Sequence, residues 1–164
     1  VEDIAQEAGV GKGTVYEYFP SKQAIFEQAV EAGIRDYLAA ITKETEKPAA
    51  IEEKIQRIAA IHLRFMAEHR SMATVIMSNP VILLPHREKL LGIVREAEET
   101  VAAVIQEGID SGALRPINSR LVAQAFIGVL STVSGVQLVE KCGLDVETTA
   151  AALMDIVLHG IASE

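Results

Sequence analysis

Apolar residues recur along this chain at intervals of three and four, the period of an α-helix with one buried face. Ile4, Ala5 and Ala8 mark a short first helix, and Gly9 stands where a helix C-terminus favours positive φ. Thr14 to Phe19 form a second short segment, in which Val15 and Phe19 share an inward face and Lys12, Thr14, Tyr16 and Tyr18 reach outward. Val10 is placed to plug the angle between the two. Ser21 is an N-cap for a long helix from Lys22 to about Thr45, striped by Phe26, Val30, Ile34, Leu38 and Ile41. Residues 42–50 are a polar connector ending at Pro48. From Ile51, the residues Ile55, Ile58, His62, Phe65, Met66 and His69 share one side of a second long helix. Arg70 to Ser78 predicts a shorter helical segment, interrupted afterwards by Asn79-Pro80 and Pro85. The apolar run between those prolines has strand composition, but no partner strand is evident anywhere in the chain.

His86 to Asp110 predicts a further helix, with Leu90, Leu91, Val94, Val101, Val104, Ile105 and Ile109 inward and Glu96, Glu98, Glu99 and Glu107 in water. Gly112 closes it and Pro116 prevents continuation. Asn118 or Ser119 caps the next helix, which runs to about Lys141 and ends at Gly143. Asp145 caps the last, striped by Val146, Ala150, Leu153, Ile156, Val157 and Ile161. The fold class is therefore all-α.

The helix from Leu121 to Val139 is apolar around most of its circumference, so it must be buried on more than one side. Pairing it and the last helix with their copies across a two-fold axis would bury the excess in a four-helix interface. Phe126, Val129, Val133, Val136, Leu153, Ile156 and Val157 are the candidate interface residues. Gly128, Ser131, Ser134 and Gly135 are small enough to allow close approach. At the other end of the chain, a small Ala, a Gly turn and an inward Val let two short helices cross closely. That is the geometry of a helix-turn-helix whose second helix enters the major groove.

Composition narrows the class. Hydrophobic residues are 49% of the 164 and aromatics only 4%, so the core is aliphatic and needs no disulfide. The single Cys142 fits a reducing cytoplasm, and no signal peptide opens the chain. No uncharged apolar run approaches ~18 residues, so no membrane span is expected. The net charge of −8 argues against a generic nucleic-acid binder, and the first 22 residues set Glu2, Asp3, Glu7 and Glu17 against Lys12 and Lys22. Sequence-specific recognition in such a head would draw on hydroxyls and backbone N–H groups more than on charge, unless basic residues precede Val1. No nucleophile motif or phosphate loop points to an enzyme. Four histidines raise a metal reading. However, His62 and His69 lie ~10 Å apart along a helix, too far to share one ion, so neither metal nor cofactor is expected.

The run Gly13-Thr14-Val15-Tyr16-Glu17-Tyr18-Phe19-Pro20-Ser21-Lys22, followed by Ala24-Ile25-Phe26, resembles the N-terminal motif of the TetR family of bacterial transcriptional repressors. The close likeness covers roughly positions 1 to 40. Beyond it the chain is similar in helical layout and in the Gly112-Ala113-Leu114-Arg115 turn. Gly11 departs from the pattern, where Ser or Thr often precedes the recognition helix. The resemblance also implies a helix ahead of Val1, completing a three-helix head that this sequence enters part-way.

What the resemblance implies is a helix-turn-helix DNA-binding domain over residues 1–40 and a ligand-binding and dimerisation domain over 41–164, with a homodimer built on the last two helices. Lys12, Gly13 and Thr14 would open the recognition helix near base edges. Tyr16 would touch a thymine methyl or a phosphate, and Tyr18 and Lys22 would hold phosphates. An inducer pocket would be enclosed by Tyr37, Phe65, Met66, His69, Met72, Met77, Phe126, Leu130 and Gln137, an apolar, Met-rich lining suited to a hydrophobic small-molecule effector. The expected function is a cytoplasmic, effector-released repressor of a double-stranded DNA operator, with no membrane partner. The alternative is a helical ligand-binding or scaffold dimer without DNA-binding activity.

Overall fold

The structure is a computed structural model, and it describes residues 1–71, 87–140 and 145–159. Among the described residues there are seven helices and no strand. They are α1 (Glu2–Glu7), α2 (Lys12–Tyr18), α3 (Lys22–Thr45), α4 (Ile51–Glu68), α5 (Arg87–Asp110), α6 (Ser119–Glu140) and α7 (Val146–His159). The chain is all-α, as its periodicity predicts. The segment expected to follow Arg70, the two prolines, His86, Cys142 and Gly143 lie outside the described residues.

Side chains punctuate the helices where hydrogen-bond chemistry requires. Ser21 Oγ accepts from the Ala24 N–H at 3.1 Å, Asn118 Oδ1 from the Leu121 N–H at 3.0 Å, and Asp145 Oδ1 from the Thr148 N–H at 3.2 Å. Each satisfies a donor that the first helical turn leaves free. The hydroxyl and N–H of Thr148 hold the Asp145 carboxyl below its ordinary range. At the end of α1, Gly9 has φ 68°, the Gly9 N–H donates to Gln6 O, and the Val10 N–H donates to Ala5 O. This paired closure needs a left-handed residue, hence the glycine.

The chain divides into two compact units, Val1–Asp36 and Tyr37–Glu164. In the first, α1 packs on α2, with Ala5 and Val15 buried. Val10 does not plug their angle. It is 43% exposed, because the Gly9 turn carries it past the crossing.

In the second unit, α4 packs against α5, α6 and α7, and α5 lies along α6. The core is Ile41, Ile55, Ile58, Ala59, Leu63, Val101, Ile105, Ala123, Phe126 and Leu130, closed by Ala150, Leu153 and Met154 of α7. Lys54 is buried on α4 and donates to both carboxylate oxygens of Glu107 at 2.9 Å, so Glu107 bridges α5 to α4 rather than lying idle in water. Gly108 permits the closest approach: a Cβ there would stand 2.7 Å from Leu114 Cδ1 and 2.8 Å from Ile51 Cγ2.

Helix α6 has two faces. Ala123, Phe126, Leu130 and Ser134 are buried in the core. Leu121, Val129 and Val136 are exposed, Val136 at 49%, and Ile156 of α7 is equally exposed. Phe126 and Leu153, expected at a subunit interface, are instead buried in the core of this chain, where the apolar faces of α4 and α5 require filling. Ser134, expected to ease helix approach outside, is buried and its hydroxyl donates to Leu130 O at 2.7 Å. Val133 and Val157 are half-buried at the edge of the same core. Against the expectation that no such run exists, Ser119–Val136 is long and apolar enough by length and composition to cross a membrane, but its row of Ala123, Phe126, Leu130 and Ser134 is buried in this core.

Candidate functional site

The first candidate surface is α2. Val15 is its one buried residue, fixed against α1. A seven-residue helix with a single inward side chain must present the others outward. Lys12, Gly13 and Thr14 of its first turn are exposed, as are Tyr16 (47%), Tyr18 (74%) and Lys22 at the start of α3. Gly11 is the N-cap, with φ −72° and ψ 148°. A Cβ at Gly11 would meet only Thr14 Oγ1, at 3.8 Å. Lys12 is not unengaged: its Nζ donates to Glu2 Oε1 at 2.8 Å. That bond raises the Lys12 pKa and lowers that of Glu2. Both side chains are open to solvent, so a phosphate can compete for the ammonium.

The second candidate is a cluster of rings in the Tyr37–Glu164 unit. Tyr37 on α3 meets His62 on α4 edge-on, with ring centroids 5.6 Å apart and Tyr37 Oη 2.9 Å from His62 Nδ1. Tyr37 also lies 5.0 Å from the Phe65 ring, and Phe65 stacks on His69 at 4.3 Å. His69 Nδ1 is 3.0 Å from Phe65 O. Burial grades along this face of α4: His62 is buried, whereas Phe65, Met66 and His69 are half-buried. Burial pushes His62 down to about 4, so it is a neutral imidazole at pH 7, and it pushes the Tyr37 phenol up. His62 Nε2 is buried and has no hydrogen-bond partner among the described residues.

Three expected pocket residues, Tyr37, Phe65 and His69, thus come together, with Met66 beside them on α4. Phe126 and Leu130 are buried in the core against which Tyr37 packs. Met72, Met77 and the side chain of Gln137 lie outside the described residues. The sequence allows the helix histidines as polar anchors of the pocket without singling out His62 among its lining residues. The available signal was its spacing of three before Phe65 and seven before His69 on an otherwise apolar face.

A cavity of about 470 Å³ opens toward the other end of α4, lined by Ile55, Ile105, Leu114, Ile117, Val122 and Phe126, with Glu52 and Arg115 among its polar residues. It too was missed, because helical period does not tell how the turn after Gly112 folds over the first turn of α4. Among the described residues, no three His, Cys, Asp or Glu side chains gather as a metal site would require.

Comparison with known proteins places both regions. Residues 1–29 match the family described as bacterial regulatory proteins, tetR family. Residues 48–135, more than half of the chain, match the tetracyclin repressor-like C-terminal domain. The chain is 23% identical to a fatty acid metabolism regulator protein of Bacillus subtilis (strain 168), across 98% of this chain and 84% of that protein. In fold it is similar to the transcriptional regulator FadR from Bacillus subtilis in complex with stearoyl-CoA, with a TM-score of 0.81 at 21% identity over 98% of this chain and 88% of that one. It is also similar to the TetR family regulator PfmR from Thermus thermophilus, with a TM-score of 0.80 at 23% identity over 99% and 88%. The two family matches, one over the helix-turn-helix and one over most of the helical unit behind it, show that the chain belongs to the TetR family of DNA-binding transcription regulators.

Proposed function

We propose that the protein is a homodimeric, cytoplasmic transcriptional repressor whose DNA affinity is lowered by a small, mostly apolar effector carrying a fatty-acyl chain. The observation that carries the reading is the orientation of α2: Val15 alone is buried, so Thr14, Tyr16 and Tyr18 face outward to meet DNA, with Lys12 beside them once a phosphate displaces Glu2. Residues 1–40 act as the DNA-binding domain and 41–164 as the effector-binding and dimerisation domain. The exposed residues Val129, Val136 and Ile156 form the centre of the subunit interface, with Val133 and Val157 at its margin. Two copies then present two recognition helices to successive major grooves. The effector acts by population shift, binding more tightly to a conformation whose recognition helices are wrongly spaced. The acyl class is supported by the relatives, a fatty acid metabolism regulator and a regulator solved with stearoyl-CoA. The effector site is the face formed by Tyr37, Phe65, Met66 and His69.

A scaffold or ligand-binding dimer without DNA activity is the competing reading, favoured by the acidic head and the Lys12–Glu2 pair. The two separate in one experiment. Duplexes selected by the protein from a random-sequence library are rebound by Lys22→Ala and Tyr18→Ala variants. The repressor reading expects selection of a two-half-site sequence, loss of binding in both variants and unchanged effector affinity. Selection of no sequence by the unmodified protein would support the competing reading.

A further inference from the structure

His62 Nε2 is buried with no hydrogen-bond partner among the described residues, in a ring whose other nitrogen faces Tyr37 Oη at 2.9 Å. The two nitrogens of an imidazole diverge, so Nε2 is directed away from the phenol. Which of them carries the proton follows from counting donors. If Nδ1–H donated to Tyr37 Oη, the phenol O–H would need a second acceptor, and the described residues offer it none besides His62. If the phenol O–H donates to Nδ1, its own proton is satisfied and the neutral ring carries its proton on Nε2. A single buried N–H donor is then left without an acceptor, a costly condition in a low-dielectric interior.

The acceptor that completes it has a definable chemistry. A buried water needs two to four polar partners, and the polar partner identified at this ring, the Tyr37 phenol, sits at Nδ1, on the side away from Nε2. A carboxylate against a neutral imidazole and aromatic rings would be a buried charge without a counter-ion. A neutral carbonyl oxygen on an apolar molecule meets neither objection. Burial grades from the half-buried, stacked rings of His69 and Phe65 to the buried His62, so an apolar molecule that follows these rings inward would meet the His62 donor last.

We propose that His62 Nε2–H is the buried donor that recognises a neutral carbonyl oxygen on an otherwise apolar effector, with Tyr37 as the positioning residue that fixes the tautomer. The proposal rests on the effector reading above and identifies which group of the effector is read.

Two probes differing in one carbonyl test it: dodecanoyl-coenzyme A, a thioester, and the dodecyl thioether of coenzyme A. Affinities are measured by calorimetry for the unmodified protein, His62→Phe and His62→Gln, whose amide NH2 can stand near the position of Nε2. The expected result is a preference of about five- to tenfold for the thioester in the unmodified protein, loss of that preference in His62→Phe and its recovery in His62→Gln. Equal binding of both probes to the unmodified protein, or a preference that survives His62→Phe, overturns the role of His62 and leaves the acyl-effector reading standing. Failure of both probes to bind overturns both. A long-range proton–nitrogen correlation spectrum of the free protein adds an independent check, with the His62 proton expected on Nε2; a proton on Nδ1 overturns the donor assignment.

Discussion

A neutral imidazole inside a helical core ties stability to pH. His62 is held at about 4 by burial against an ordinary value of 6.5, so between these values the unfolded chain binds a proton that the folded one refuses. Its contribution is complete above pH 6.5 and is lost as pH falls toward 4, in all about 3 kcal/mol at about 1.4 kcal/mol per unit. Urea midpoints should therefore fall between about pH 7.5 and about pH 5 in the unmodified protein, and fall markedly less in His62→Phe. An equal fall in both would remove His62 as the cause. On the head, the exposed Lys12–Glu2 pair adds little stability but occupies the ammonium expected to meet DNA. Glu2→Gln should tighten binding to a selected duplex in fluorescence anisotropy, and Lys12→Gln should weaken it and lower the salt slope by about one. At this scale the sequence was partly legible. Lys12, Thr14, Tyr16 and Tyr18 read as outward from spacing alone, whereas the isolation of His62 Nε2 depends on what faces it across two helices.

Helix boundaries were legible because their causes are local. Ser21, Asn118 and Asp145 act within three residues of themselves, and Gly9 acts on the turn it closes. Contacts between helices were not. Glu107 reads as a solvated glutamate until Lys54 is placed opposite it, and the close packing of Leu114 and Ile51 over Gly108 has no signature in the helical period. Gly108→Ala improves helix propensity by up to about 1 kcal/mol. It also forces a methyl against the branched Ile51 and the Leu114 stem, so a net loss of about 1–2 kcal/mol is expected from denaturant unfolding. A gain in stability would show that α4 and the Leu114 turn yield more easily than their packing implies.

The whole molecule presents apolar surface that one protomer leaves uncovered. Period alone showed that α6 had to be buried twice, but it could not sort the faces. Phe126 and Leu153 went to the core, while Val129, Val136 and Ile156 remained outside. Val136→Asp should leave helix content intact and convert a dimer to monomers in sedimentation, since a charge at a paired apolar face is buried without a partner. A dimer that survives would move the interface elsewhere. In the function proposed above, one molecule couples operator binding to an acyl effector. The most direct measurement is fluorescence anisotropy of a selected duplex bound to the protein while dodecanoyl-coenzyme A is titrated in. The duplex should be released as the thioester binds, with a matching loss of thioester affinity when DNA is present, since linkage is reciprocal. A duplex that stays bound while calorimetry shows the thioester occupying its site would contradict that coupling.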